Sequence, residues 1–292
     1  MSRQIPRVSP IGRTGAADVP AVASGRTGAA AGPAAASGRT GAAQIPESPA
    51  GQFGPPNPTG LAARPGGHGL PGQLIVLEGI DGSGRSTHAR LLEDRLRYRG
   101  RGATRTSLAT SAIAAEPIRR AKRDARVGPV GTALLYAADL AERTEQVILP
   151  ALRAGLVVIA DRYAYTPMAR SEARGVDPVW LDDLFGFVVP PDLVLFLDID
   201  PGTVLARRGA DPDPYEAGSD LHLGTDLVES YRLFQGRLYD CLRRSAARFG
   251  FTIVPATAPI ASVERRLERA VAAVLDPAEP RASWARVAGS RR

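Results

Sequence analysis

The residues Gly79-Ile80-Asp81-Gly82-Ser83-Gly84-Arg85-Ser86 carry the spacing of a phosphate-binding loop, G-x-x-x-x-G-K-[ST], with arginine in place of the usual lysine. Glycines at this spacing let consecutive backbone N–H groups turn inward around an anion. A helix starting just after them aims its positive end at the same charge. The Ser86 hydroxyl suits Mg²⁺, Thr87 follows it, and residue 85 falls along the β- and γ-phosphates of a nucleotide. Arg85 keeps a positive charge there, but as a planar fork needing more room than an ammonium. A Gly-rich strand-to-helix turn without a ligand is the plainer alternative.

Such a loop works only between a strand and a helix, and the flanking sequence predicts both. Leu74 to Leu77 reads as a buried strand, and Ala89, Leu92 and Leu96 recur at helical spacing before a stop at Gly100. Further apolar runs at Leu156–Ala160, Leu193–Leu197 and Phe251–Val254 predict buried strands. A long helical pattern runs from Ala133 to Leu152, and Val263, Leu267, Val271 and Val274 make the stripe of a last helix. Continuous apolar strands alternating with helices indicate an α/β fold, a parallel sheet covered on both faces. Gly209 to Gly224 has no apolar period and reads as a mobile lid.

Composition sets the limits around this core. Residues 1–72 are rich in Ala, Gly, Pro, Ser and Thr, and GRTGAA recurs at Gly12, Gly25 and Gly38. With so little apolar surface to bury, this stretch reads as a disordered low-complexity tail, followed by a folded domain over 73–276 and a basic tail over 277–292. The tails carry +4 and +3 of the formal charge of +7, so the folded part is neutral and no specific nucleic-acid partner is expected. Cys241 is the sole cysteine and His68, His88 and His222 are scattered, which excludes a disulfide and a thiolate or histidine metal centre. With no run of ~18 apolar residues and no signal-peptide pattern, the expectation is a cytoplasmic protein without a membrane span.

Taken in order, "LEGIDGSGRST" (77–87), "VVIADRY" (157–163), "RGVDPVWL" (174–181), "PDLVLFLDIDP" (191–201) and "FTIVPATAPI" (251–260) resemble the thymidylate kinase family of P-loop nucleoside monophosphate kinases. The resemblance runs from about Gln73 to Leu275. It implies transfer of the γ-phosphoryl group of ATP, with Mg²⁺, onto dTMP or a related nucleotide. Arg162 matches the arginine that grips the acceptor phosphate, and Asp161 is placed to order Mg²⁺ or Arg162. Asp81 matches the acidic loop residue that meets the acceptor sugar, Tyr136 an aromatic that stacks on the base, and Ala256 and Thr257 the cradle for adenine. A homodimer through the helix at Ala133–Leu152 is implied as well.

The sequence also departs from that pattern. Leu140 stands where an arginine hydrogen-bonds thymine, Pro167 replaces a base-facing polar residue, and Arg170 replaces a tyrosine or similar residue near the sugar. In the lid, Asp213-Pro214-Tyr215-Glu216 lacks an arginine, leaving Arg207 and Arg208 just upstream as its substitutes. These losses support a second reading, a non-catalytic nucleotide-binding module that regulates a partner. A deoxynucleoside kinase is a third, against which Arg162 argues.

Overall fold

The computed structural model describes residues 61–124, 127–208 and 212–276, all within one compact unit. β1 (Gln73–Glu78) leads into α1 (Arg85–Tyr98), followed by β2 (Ala103–Ser107), α2 (Ala115–Asp124), α3 (Pro129–Arg143) and α4 (Leu149–Arg153). The chain continues through β3 (Val157–Asp161), α5 (Tyr165–Glu172), α6 (Pro178–Leu184), β4 (Leu193–Asp198) and α7 (Pro201–Arg208). α8 (Leu227–Phe249), β5 (Thr252–Pro255) and α9 (Ile260–Leu275) complete it. The five strands lie parallel in the order β2-β3-β1-β4-β5. The P-loop type of parallel α/β sheet expected from the apolar runs is the fold observed. Ligands of such sheets sit beyond the strands' carboxyl ends where the order reverses, and the loop after β1 lies at that reversal.

Four strands are the four apolar runs; β2 is an addition. Its sequence ATRTS alternates in burial because it is an edge strand, paired on one side to β3. α8 is an addition too, although Tyr231, Phe234, Leu238, Leu242, Ala246 and Phe249 mark one buried face. Asp226 caps its start by accepting from the Glu229 N–H at 2.8 Å, and Gly250 ends it in the left-handed region. The long pattern from Ala133 is α3 and α4 joined by a π-helical turn over Thr144–Ile148. Pro150 explains the turn: it lacks an N–H, and its ring crowds the carbonyl one turn back, so the wider turn relieves the clash.

A larger correction concerns residues 61–72, assigned by composition to the tail. They run along the amino edge of the sheet. Leu61 is fully buried, Tyr165 donates its hydroxyl to the Leu61 carbonyl, and Ala63 N–H donates to Phe249 O at 3.1 Å. Asp192, just before β4, accepts from Gly66 N–H at 2.6 Å, Leu74 N–H at 2.7 Å and His68 Nε2 at 2.9 Å. One buried carboxylate thus ties this strap to the starts of β1 and β4. The repeats of residues 1–60, the basic tail of 277–292 and part of the lid lie outside the described residues. Among the described residues, no helix is long and apolar enough to cross a membrane.

Candidate active site

The loop after β1 owes its shape to backbone conformations that side chains resist. Gly79, Gly82 and Gly84 have φ of 152°, 81° and 93°. A Cβ on Gly79 would stand 2.7 Å from Ser83 Oγ, so the turn closes only around glycine. Ile80 is fully buried and pins the loop to the core. α1 begins at Arg85 with no acidic residue in its first turn, leaving its positive end free for an anion.

Asp81 is the hub of the site. Its carboxylate receives Arg162 and Arg170, accepts from Gln235 Nε2 at 3.1 Å, and lies 3.9 Å from Arg85 Nη2. α8 holds the same residue from behind, through Tyr231 Oη donating to the Asp81 carbonyl at 3.1 Å. Burial alone would raise the Asp81 pKa, but Arg162, then Arg170 and Arg85, hold it far below the usual carboxylate range. Burial, then Arg162, pulls the Arg85 guanidinium down to about 10. Three guanidiniums converge on one carboxylate and cannot all be satisfied by its two oxygens. Arg85 Nε and Nη1, Arg162 Nη1, and Arg170 Nε and Nη1 are buried without a hydrogen-bond partner among the described residues. Orphaned donors of this kind are costly unless a ligand meets them.

Arg162 is aimed at Asp81 by its backbone. It has φ of 71°, rare for a non-glycine residue, and its N–H is held by Leu77 O at 3.1 Å. Beside it Ser86 Oγ donates to Asp161 Oδ2 at 2.5 Å, while Asp161 Oδ1 is buried without a partner among the described residues. A hydroxyl next to an under-used carboxylate oxygen is a donor set that suits Mg²⁺ sharing its remaining positions with phosphates and water. Glu78, fully buried, accepts from Tyr163 N–H and Thr166 Oγ1, and burial raises its pKa.

These groups open into a cavity of about 420 Å³. One end is Asp81, Ser86, Asp161, Arg162 and Arg170; the other is Tyr136, Lys122 and Tyr215. Tyr136 is 1 % exposed and its hydroxyl lies 3.4 Å from that of Tyr215. Tyr215 is set by an Asp213 turn, whose Oδ1 accepts from the Tyr215 and Glu216 N–H groups at 2.9 and 3.2 Å. Arg174, in a two-point ion pair with Asp220, lies over the Tyr215 ring at 4.7 Å. Lys122 Nζ stands 6.0 Å from the Tyr136 ring and 5.2 Å from that of Tyr215.

The expected residues are therefore brought together in part. Residues 79–87, Tyr136, Asp161, Arg162 and Arg170 share one site. Asp81, expected to meet a sugar, is instead surrounded by arginines. Arg207 is turned away: its guanidinium donates to the carbonyls of Ala256, at 3.0 Å, and Thr257. Committed to those two carbonyls, it holds the loop after β5 and does not stand in for the lid arginine. The Arg208 side chain lies outside the described residues. Ala256 and Thr257 do stand at the same edge of the sheet as the loop after β1, since β1, β4 and β5 run parallel. Leu140 is fully buried in the core. Lys122, Arg174, Tyr215 and Gln235 escaped the sequence reading; for Lys122 a signal existed, since it is the one lysine among 37 basic residues.

Comparison with known proteins identifies the family. The family model described as thymidylate kinase matches residues 77–266. The chain is 36% identical over 184 residues to a probable thymidylate kinase 2 of Saccharolobus solfataricus, covering 61% of this chain and 86% of that protein. It is 42% identical over 135 residues to a probable thymidylate kinase of Thermococcus onnurineus, covering 43% and 66% respectively. It is 34% identical over 139 residues to a thymidylate kinase of Brachyspira hyodysenteriae, covering 47% and 68%.

Proposed function

Because this chain belongs to the thymidylate kinase family, a family of nucleotide-binding phosphotransferases, we propose that it moves the γ-phosphoryl group of ATP onto dTMP or a closely related nucleoside monophosphate. The observation that carries this reading is the arginine cluster: Arg85, Arg162 and Arg170 converge on Asp81 with five buried guanidinium nitrogens unpartnered. Phosphoryl transfer asks little covalent help of a protein. Positioning and neutralisation of charge carry it, and donors fixed in advance are the means.

In this reading residues 79–87 wrap the donor phosphates, with Arg85 along them. Arg162 grips the acceptor phosphate, and Arg170 lies beside it. Asp81 keeps the guanidiniums aimed inward and cedes them in part as phosphate oxygens arrive. Ser86 and Asp161 would hold Mg²⁺, which when bound supplies neutralising charge at the phosphates. Ala256 and Thr257, steadied by Arg207, border the adenine. Tyr136 stacks on the acceptor base, and Tyr215 from the lid covers it. Dimerisation through α3 belongs to the same reading, supported by the exposed Val130 and Leu134 on that helix.

The test is ADP release from Mg·ATP with dTMP, dUMP and dCMP as acceptors. Arg162→Ala should lower kcat/KM for each by about 10²–10³-fold. A wild-type chain that binds these nucleotides but releases no ADP with any of them would sink the reading.

A further inference from the structure

Glu78, the last residue of β1, is a fully buried carboxylate that does not line the cavity. Burial raises its pKa, and Thr166, Arg85, Tyr163 and Arg162 work against that rise. A carboxylate in such a place is destabilising unless its oxygens are met. Both are. Oε1 accepts from the Tyr163 N–H at 2.9 Å, and Oε2 accepts from Thr166 Oγ1 at 2.5 Å. Arg85, Arg162 and Arg170 turn to Asp81 instead. Glu78 thus sets a negative charge beside Arg85 and Arg162 without occupying their donors.

The partners it does take surround one strained residue. Tyr163 follows Arg162, whose φ of 71° is a conformation that a side chain resists. The Arg162 N–H is held by the Leu77 carbonyl at 3.1 Å, and the next N–H along the chain by Glu78. Two consecutive residues of β1 therefore clamp the left-handed turn on both sides. The paired register of β1 and β3 ends at Leu77 and Asp161, so the Glu78 side chain takes over where the sheet stops. Thr166, in the first turn of α5, ties the same carboxylate to the helix that carries Arg170.

We propose that Glu78 is a positioning residue for phosphoryl transfer. It holds the turn that aims the Arg162 guanidinium into the site and leaves the donors of that guanidinium for phosphate. This rests on the proposed kinase reading, in which Arg162 grips the acceptor phosphate. Without an acceptor for the Tyr163 N–H, Arg162 relaxes to an ordinary negative φ, and the change of dihedral carries its long side chain away from Asp81. Glutamine at 78 keeps one acceptor oxygen for Tyr163 but turns an amide donor toward Thr166.

The experiment uses the full chain and measures kcat and KM for dTMP with Mg·ATP, together with ADP affinity and melting temperature. The variants are Glu78→Met, Glu78→Gln and Arg162→Ala, and each Glu78 variant combined with Arg162→Ala. Glu78→Met should lower kcat/KM about 10²-fold, near the loss for Arg162→Ala, and Glu78→Gln about tenfold, with ADP affinity held within about threefold. In the Arg162→Ala background either Glu78 change should cost less than about threefold more, because no guanidinium is left to aim. The cycle closes on Glu78→Gln alone if Glu78→Met does not fold. Losses of the same size in both backgrounds mark a merely structural carboxylate and overturn the proposal. So does a parallel loss of ADP affinity, or a folded Glu78→Met with unchanged kcat/KM. Wild type that releases no ADP fails both readings, whereas ADP release with independent losses fails this one alone.

Discussion

The two ends of the cavity are built on different plans. The end proposed for phosphate joins two short contiguous segments, residues 79–87 and Asp161-Arg162, fixed by glycine conformations and by one strained arginine backbone, to Arg170 on α5. The base end is assembled from side chains on α2, α3 and the lid segment, none adjacent in sequence. Phosphate is the same in every nucleotide, so backbone N–H groups and guanidiniums can meet it with a fixed local motif. Bases differ at their edges, so reading them needs groups from several directions. The phosphate end should therefore govern how fast the chemistry runs, and the base end which nucleotide enters it.

The largest expected effect is at the hub. Asp81→Ala leaves Arg85, Arg162 and Arg170 without their shared carboxylate, and kcat should fall by about 10³-fold or more, equally for dTMP and dCMP. A change in the ratio between the two nucleotides would break the division between the ends. Next comes Arg85→Ala, expected to cost about 10²-fold in kcat; Arg85→Lys should recover most of it, because a point charge at the phosphates suffices there. If Arg85→Lys is as slow as the alanine variant, the guanidinium fork itself is required. At the base end, Tyr215→Ala should raise the dTMP KM about tenfold while kcat holds within threefold, as expected for lost binding rather than lost chemistry. A fall in kcat alone would place Tyr215 with the phosphate end.

The smallest effect on turnover is expected at the strap. Deleting residues 1–60 should leave melting temperature and kcat unchanged. Deleting 1–72 removes Leu61 from the core and strands the Asp192 carboxylate, costing about 4 kcal/mol of stability with nucleotide preference unaltered. Burial would raise the Asp192 pKa, but donors from His68, Leu74 and Gly66 hold it below the usual value. A carboxylate depressed in the folded state contributes stability above its unfolded pKa near 4 and loses it as pH falls through the lower folded value. Asp192→Asn should therefore flatten acid unfolding in that window.

How much of this was legible in the sequence follows the same line. β1, β3 and β4 could be read because both faces are buried and their central residues are apolar without interruption, whereas β5 is an edge exposed at Thr252 and Ile253 and showed itself only by its short apolar run. β2 could not, because Thr104, Arg105 and Thr106 belong to an edge. The strap was hidden for another reason: backbone groups and one distant aspartate fasten it, and its glycines and prolines resemble those of a tail. The phosphate loop and the Asp-Arg-Tyr triplet announced themselves by spacing. The reach of long side chains did not. Whether Arg207 turns toward phosphates or toward the Ala256 carbonyl depends on acceptors brought near by folding, and Lys122 meets Tyr136 only because α2 packs on α3.

Apart from its terminal amine, the chain has one aliphatic amino group, and that group stands over the base end of the cavity. Amine-directed reagents thus have a single side-chain target. Reductive methylation with ¹³C-formaldehyde would convert it to one dimethylammonium, keep its charge, and give one side-chain resonance beside that of the terminal amine. An active-site reporter that usually has to be engineered by removing competing lysines is already isolated here by the chain's reliance on arginine.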